Sequence, residues 1–139
     1  MSLAPAAQQS LAKWCIMIAK NNFRDLPSII AADAVFRSPV GLKPYRGRDL
    51  VCLLLSTAAG VFEDFKYHRK FLDGENAALE FSAHISDIKL KAVHLIRFNA
   101  AGEFVEIEKL VRPAEAVKAL GDAMAALIGP QVKAARAAA

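Results

Sequence analysis

Phe65-Lys66-Tyr67-His68-Arg69-Lys70-Phe71, Asp73-Gly74-Glu75-Asn76 and Leu79-Glu80-Phe81-Ser82-Ala83-His84-Ile85 form a stretch in which the hydrophobic period is two. Apolar or aromatic side chains alternate with polar ones, which is the pattern of half-buried strands. The Asp-Gly-Glu-Asn tetrapeptide between them supplies a hairpin turn. Ser86 to Lys89 make the next turn, and Val93 to Phe98 form another strand. Asn99-Ala100-Ala101-Gly102 turns that strand, and Phe104 to Val111 close the sheet. The second half of the chain therefore reads as four meandering antiparallel strands. In the last of them, alternation puts Phe104 and Leu110 on one side and Val105, Ile107 and Val111 on the other. A sheet apolar on both faces needs a second cover, and the partner sheet of a homodimer would provide it.

On either side of this stretch the period is helical. Leu11, Trp14, Cys15 and Ile18 are spaced i, i+3, i+4, i+7, which predicts an amphipathic helix ending near Asn21-Asn22. Ile16 and Met17 widen its apolar surface, so burial on more than one side is expected. A short helix follows, with Asp25 as N-cap and Pro27 in its first turn. Ala34 to Ser38 read as a short strand stopped by Pro39, and Gly41, Pro44 and Gly47 mark a loop. A further helix runs from about Arg48 to Ala59, with Leu50, Leu53, Leu54 and Ala58 on one face and Gly60 as its cap. The last helix opens at Pro113 and carries the stripe Val117, Leu120, Met124, Leu127 and Ile128. Gly129-Pro130 is expected to stop it, leaving Gln131 to Ala139 as an Ala-rich tail with little to bury, either frayed or a loose helix. The expected organisation is one α+β domain over residues 1–130: a cone-shaped, strongly curved antiparallel sheet wrapped around the N-terminal helix, followed by the tail 131–139.

The 139 residues are 55% hydrophobic and 23% charged, which suffices for a buried core and argues against disorder. The net charge of +4 comes from 18 Lys and Arg against 14 Asp and Glu. These charges scatter. The densest group, Lys66, His68, Arg69 and Lys70, divides between two strand faces, so no nucleic-acid partner is expected. Cys15 and Cys52 sit in apolar stretches and belong to no Cys-x-x-Cys pair, as expected of buried thiols in a cytoplasmic protein. The longest apolar run, Val51 to Phe62, is broken by Ser56, Thr57 and Gly60 and falls short of the roughly 18 residues of a membrane span. Residues 1–10 lack the features of a signal peptide. His68, His84 and His94 fall on three different strands, so no metal site is expected. No Gly-rich loop precedes a helix, and no cofactor is called for.

Four segments together resemble one family. They are Ala32-Asp33-Ala34-Val35-Phe36-Arg37-Ser38-Pro39-Val40-Gly41, Tyr45-Arg46-Gly47-Arg48, Val93-His94-Leu95-Ile96-Arg97-Phe98-Asn99-Ala100-Ala101-Gly102, and Val111-Arg112-Pro113. In order and spacing, from Leu11 to Ile128, the chain resembles the nuclear transport factor 2-like superfamily and its SnoaL-like and ketosteroid-isomerase-like members. The resemblance implies the cystatin-like cone (an α+β barrel) and a homodimer. It leaves function open, because the fold hosts both enzymes and interaction modules.

Ketosteroid isomerases place an Asp general base just before a Pro-Val-Gly segment, and the matching residue here is Ser38, a poor base at pH 7. Their oxyanion hole uses a Tyr on the first helix and a protonated Asp on the penultimate strand. The matching residues are Trp14 and His94. With all three altered, ketosteroid isomerase activity is not expected. His94 becomes the candidate for proton transfer, with Ser38 adding a hydrogen bond to the same substrate oxygen. Glu106 or Glu108 could orient His94 or could simply be solvated. Trp14, Phe36, Tyr67, Phe81 and Ile96 either fill the cone or line a pocket for a small apolar molecule. The functional expectation is ligand binding with isomerase-, cyclase- or dehydratase-type proton transfer. The alternative is a non-enzymatic protein-interaction or dimerisation module.

Overall fold

The structure, a computed structural model, describes residues 2–138. The meander occupies the second half: β3 (Glu63–Asp73), β4 (Asn76–Ile85), β5 (Ile88–Phe98) and β6 (Phe104–Arg112), each antiparallel to the next. β1 (Ile30–Arg37) and the two-residue β2 (Tyr45–Arg46) complete a curved six-stranded sheet in the order β2-β1-β6-β5-β4-β3. β1 lies parallel to β6, with Phe36 opposite Ile107, so the sheet is mixed rather than wholly antiparallel as expected from the sequence. Parallel neighbours require a long connection, and β2, the following helix and the meander supply it.

Two bulges correct the face assignments that strict alternation predicts. In β6, Phe104 pairs with Phe98 and Glu106 with Arg97, so Val105 is an extra residue. One extra residue inverts every later side chain. Phe104 and Ile107 therefore both face inward, Lys109 follows them in, and Leu110 faces out. In β3, Tyr67 pairs with Phe81 and Lys70 with Leu79. Phe65 and Tyr67 face the interior, whereas Phe71 turns outward and is 60% exposed.

The helices α1 (Pro5–Lys20), α2 (Arg48–Val61) and α3 (Ala114–Ala138) bury their apolar stripes on the concave side of the sheet. α1 contributes Ala7, Leu11, Trp14 and Met17, while Ile16 faces solvent. Asn21 ends α1 in the left-handed conformation. A 3-10 turn at Leu26–Ile29 then leads into β1. The buried stripe of α2 is Val51, Leu54, Leu55 and Ala58, one position round from the expected face. Gly60 lies inside α2, and Phe62 caps it.

α3 does not stop at Gly129-Pro130. It continues to Ala138 with Pro130 inside it, so residues 131–138 are helical. The reason is anchoring downstream of the proline: Val132 packs on the core, and the Arg136 guanidinium stacks on Tyr45 at 3.7 Å. Arg136 also donates to the carbonyls of Lys43 and Pro44. Among the described residues no helix is long and apolar enough to cross a membrane.

Candidate functional site

Three elements converge inside the cone. Trp14 on α1 donates from Nε1 to the Tyr67 hydroxyl of β3 at 2.8 Å, and that hydroxyl lies 2.8 Å from Nδ1 of His94 on β5. The phenol has a single proton, and its oxygen already accepts from Trp14. Donation of that proton to Nδ1 satisfies all three groups and leaves the imidazole proton on Nε2. Burial holds the Tyr67 phenol protonated, far above its ordinary range. The His94 ring packs against Phe81 at 4.6 Å and Trp14 at 6.0 Å. Burial, reinforced by the charge of Lys109, pushes His94 well below its ordinary value. His94 is thus a neutral imidazole at pH 7, held by Nδ1 and free at Nε2.

Lys109 is the residue that sequence reasoning missed. It is the register partner of His94 on β6 and is only 2% exposed. Its Nζ lies 5.0 Å from the ring centre of Phe62 and 5.6 Å from that of Phe36. Among the described residues no carboxylate forms an ion pair with it; the basic partners in such pairs are Arg37, Arg48, Arg69, His84, Lys91, Arg97 and Lys118. Desolvation lowers the amine to about 7, so a large fraction is unprotonated at neutral pH. The sequence does carry a signal: position 109 falls between Ile107 and Val111 at period two, on a face whose other residues are apolar.

Lys109 borders two cavities. One, of about 300 Å³, is lined by Trp14, Asn21, Phe23, Phe62, His94 and Lys109. The other, of about 400 Å³, lies beneath α3 against Phe36, Leu54, Leu120, Met124 and Ile128. Of the aromatic and aliphatic residues expected as pocket lining, Trp14 and Phe36 border these spaces. Phe81 and Ile96 are buried in the core, and Tyr67 acts through its hydroxyl. Ser38 borders the α3 cavity rather than the one His94 borders, and its Oγ accepts from the Val40 N–H. Glu106 pairs with Arg37 and Arg97 on the outer face of the sheet, so it does not orient His94.

His68, His84 and the two cysteines line neither cavity. His84 is held by Asp64, and His68 lies against Ser82. Burial raises both thiols, Cys52 to about 11, so neither is a thiolate at neutral pH.

No family model and no curated protein matches the chain. Solved structures do. A steroid delta-isomerase from Pseudomonas aeruginosa is 40% identical, with 94% of this chain and 97% of that one covered at a TM-score of 0.89. An uncharacterized protein with a cystatin-like fold from Silicibacter pomeroyi DSS-3 is 32% identical, covering 86% and 84% at a TM-score of 0.82. The chain belongs to the ketosteroid-isomerase-like branch of the nuclear transport factor 2-like superfamily. An NTF2-like protein of unknown function from Mesorhizobium loti, 20% identical with 81% and 100% covered at a TM-score of 0.70, shares the fold. Within this nuclear transport factor 2-like cone, the site is a neutral histidine and, on the adjacent strand, a lysine with no ion-pair partner among the described residues. That arrangement can donate a hydrogen bond to an oxygen and offer an amine lone pair to a neighbouring atom.

Proposed function

We propose that the chain binds a small apolar carbonyl compound in the cone and catalyses proton transfer on it. His94 donates from Nε2 to the carbonyl oxygen, and the Lys109 amine takes the proton from the adjacent carbon. The observation that carries this reading is Lys109, a buried amine beside His94 that has no counter-charge among the described residues and that lines two cavities. It supplies the base that Ser38 cannot. The relative from Pseudomonas aeruginosa is named a steroid delta-isomerase, and a steroid-like ketone is one member of the proposed substrate class. The two free thiols fit a reducing, cytoplasmic setting.

The test is conversion of a β,γ-unsaturated ketone to its conjugated isomer, followed by the rise in ultraviolet absorption. Lys109→Met and His94→Asn should each lower kcat/KM by about 100-fold or more. Ser38→Ala should leave it within a few-fold. Turnover unaffected by both of the first two substitutions would overturn the reading.

A second copy of the chain is proposed as the cover for the outer sheet face. Phe71, Leu95 and Leu110 are exposed there by 60%, 37% and 49%. Ion pairs flank them, Arg69–Glu80–Lys91 to one side and Arg37–Glu106–Arg97 to the other. Exposed apolar side chains interleaved with charges of both signs suit a self-complementary interface. The same face would serve a non-enzymatic interaction module, which sedimentation of the pure protein separates from a homodimer.

A further inference from the structure

We propose that Lys109 captures its ligand covalently, as an imine with the carbonyl carbon of an apolar aldehyde or ketone. The proposal rests on the carbonyl-binding reading above and goes beyond it, since proton transfer alone forms no bond between ligand and protein.

The geometry supports bond formation in three ways. First, Lys109 and His94 are register partners on adjacent antiparallel strands. Cross-strand partners stand about 5 Å apart at Cβ and project to the same face. A hydrogen bond from His94 Nε2 to a carbonyl oxygen therefore brings the carbonyl carbon, one bond further on, within reach of the long lysine arm. Second, Nζ has nothing else to do. It sits between the rings of Phe36 and Phe62, with no carboxylate to hold it as an ammonium among the described residues. Third, Lys109 lines both cavities, so a ligand bonded to it can extend its apolar body beneath α3, against Leu120, Met124 and Ile128.

The step balances without a co-reactant. The amine lone pair attacks the carbonyl carbon, and the carbonyl electron pair moves to oxygen, which takes a proton from the nitrogen. The resulting carbinolamine loses its hydroxyl together with the nitrogen's one remaining proton as water. Amine and carbonyl thus become imine and water. Attack requires the unprotonated amine, and the surroundings favour it. The one titratable group facing Nζ from β5 is His94, which is itself neutral. In the cavity beneath α3, α2 contributes Leu54 and Ala58, and α3 contributes Leu120 and Met124 together with two cations, Lys133 and Arg136, which do not favour a third positive charge. Burial brings the amine to about 7, against an ordinary lysine near 10.4.

The experiment uses the intact protein with 3-phenylpropanal and sodium cyanoborohydride at pH 7, read by intact mass and peptide mapping. Hydride from the cyanoborohydride reduces the imine to a stable secondary amine. We expect one adduct per chain, on Lys109, forming at least ~10-fold faster than on any other lysine, because surface lysines are almost fully protonated at this pH. Lys109→Met should abolish that adduct, and a circular dichroism spectrum matching the parent would show the variant folded. Labelling spread evenly over surface lysines, with Lys109 unmodified, would overturn the proposal. If ketone isomerisation persists with no Lys109 adduct, covalent capture fails while the proton-transfer reading stands. If both are absent, both fail. A Lys109 adduct without isomerisation would sustain the capture and remove the catalysis.

Discussion

His94 and Lys109 face each other across β5 and β6, both turned into the cone and both almost fully buried. Two basic groups placed together in an apolar interior cannot both be charged at modest cost. The fold resolves this by burying the imidazole beside Lys109, which holds it neutral, and by lowering the buried amine to about 7.

Lys109 should cost stability in a pH-dependent way. A lysine with a lowered folded-state pKa is protonated more readily in the unfolded chain, so its penalty is full below about 7 and is relieved as pH rises towards 10.4. Lys109→Met keeps the volume and removes the charge. Each tenfold loss of proton affinity on folding costs about 1.4 kcal/mol at low pH. Chemical denaturation should therefore find the variant more stable than the parent by a few kcal/mol at pH 6, with the gap narrowing steadily up to pH 10. A gap independent of pH would mean that the amine is not desolvated.

Tyr67→Phe leaves the Trp14 Nε1–H and the His94 Nδ1 without a shared partner. Each is buried, so the loss should be about 1–3 kcal/mol. The variant also frees the imidazole tautomer. Its carbon-detected histidine spectrum should show the Nε2–H form in the parent and a mixture in the variant.

Gly102 lies at φ +84°, and a Cβ there would overlap the Ala6 carbonyl oxygen at the start of α1. Gly102→Ala must strain the turn or push α1 off the sheet. A stability loss of about 2 kcal/mol or more in urea is expected, from left-handed strain plus the clash.

Arg136→Ala removes the stacking on Tyr45 and the bonds to the Lys43 and Pro44 carbonyls. Beyond Pro130 little else ties α3 down. Amide exchange should speed up over residues 131–138 by about 10-fold or more while β4 and β5 keep their protection. Unchanged exchange would show that Val132 alone anchors the segment.

Leu110→Asp replaces an exposed apolar side chain of the outer sheet face with a charge without touching the core. If a second copy covers that face, sedimentation should shift from dimer to monomer with the thermal midpoint of the isolated fold unchanged. A parent already monomeric at tens of micromolar would remove the dimer.

Strand and helix periodicity, the hairpin at Asp73–Asn76 and the order of the elements follow from local physics: side-chain spacing, turn residues and caps. The chain writes these directly. Hence the α+β cone and its family are readable from Leu11 to Ile128, and His94 can be placed facing inward. Bulges are different. Val105 and the step between Tyr67 and Lys70 each shift a face by one residue, and nothing local in the sequence distinguishes a bulge from continued alternation. Alternation alone therefore turns Phe71 inward and separates Phe104 from Ile107. α3 passes through Gly129-Pro130 because Arg136 finds Tyr45, a residue 91 positions away that no local rule anticipates. The pairing of His94 with Lys109 is likewise a matter of register between strands. The sequence determined that a histidine would stand in an apolar cone. Only the tertiary structure decided that a buried lysine, unpaired among the described residues, stands beside it, because burial and ion pairing are properties of the whole enclosure rather than of any segment.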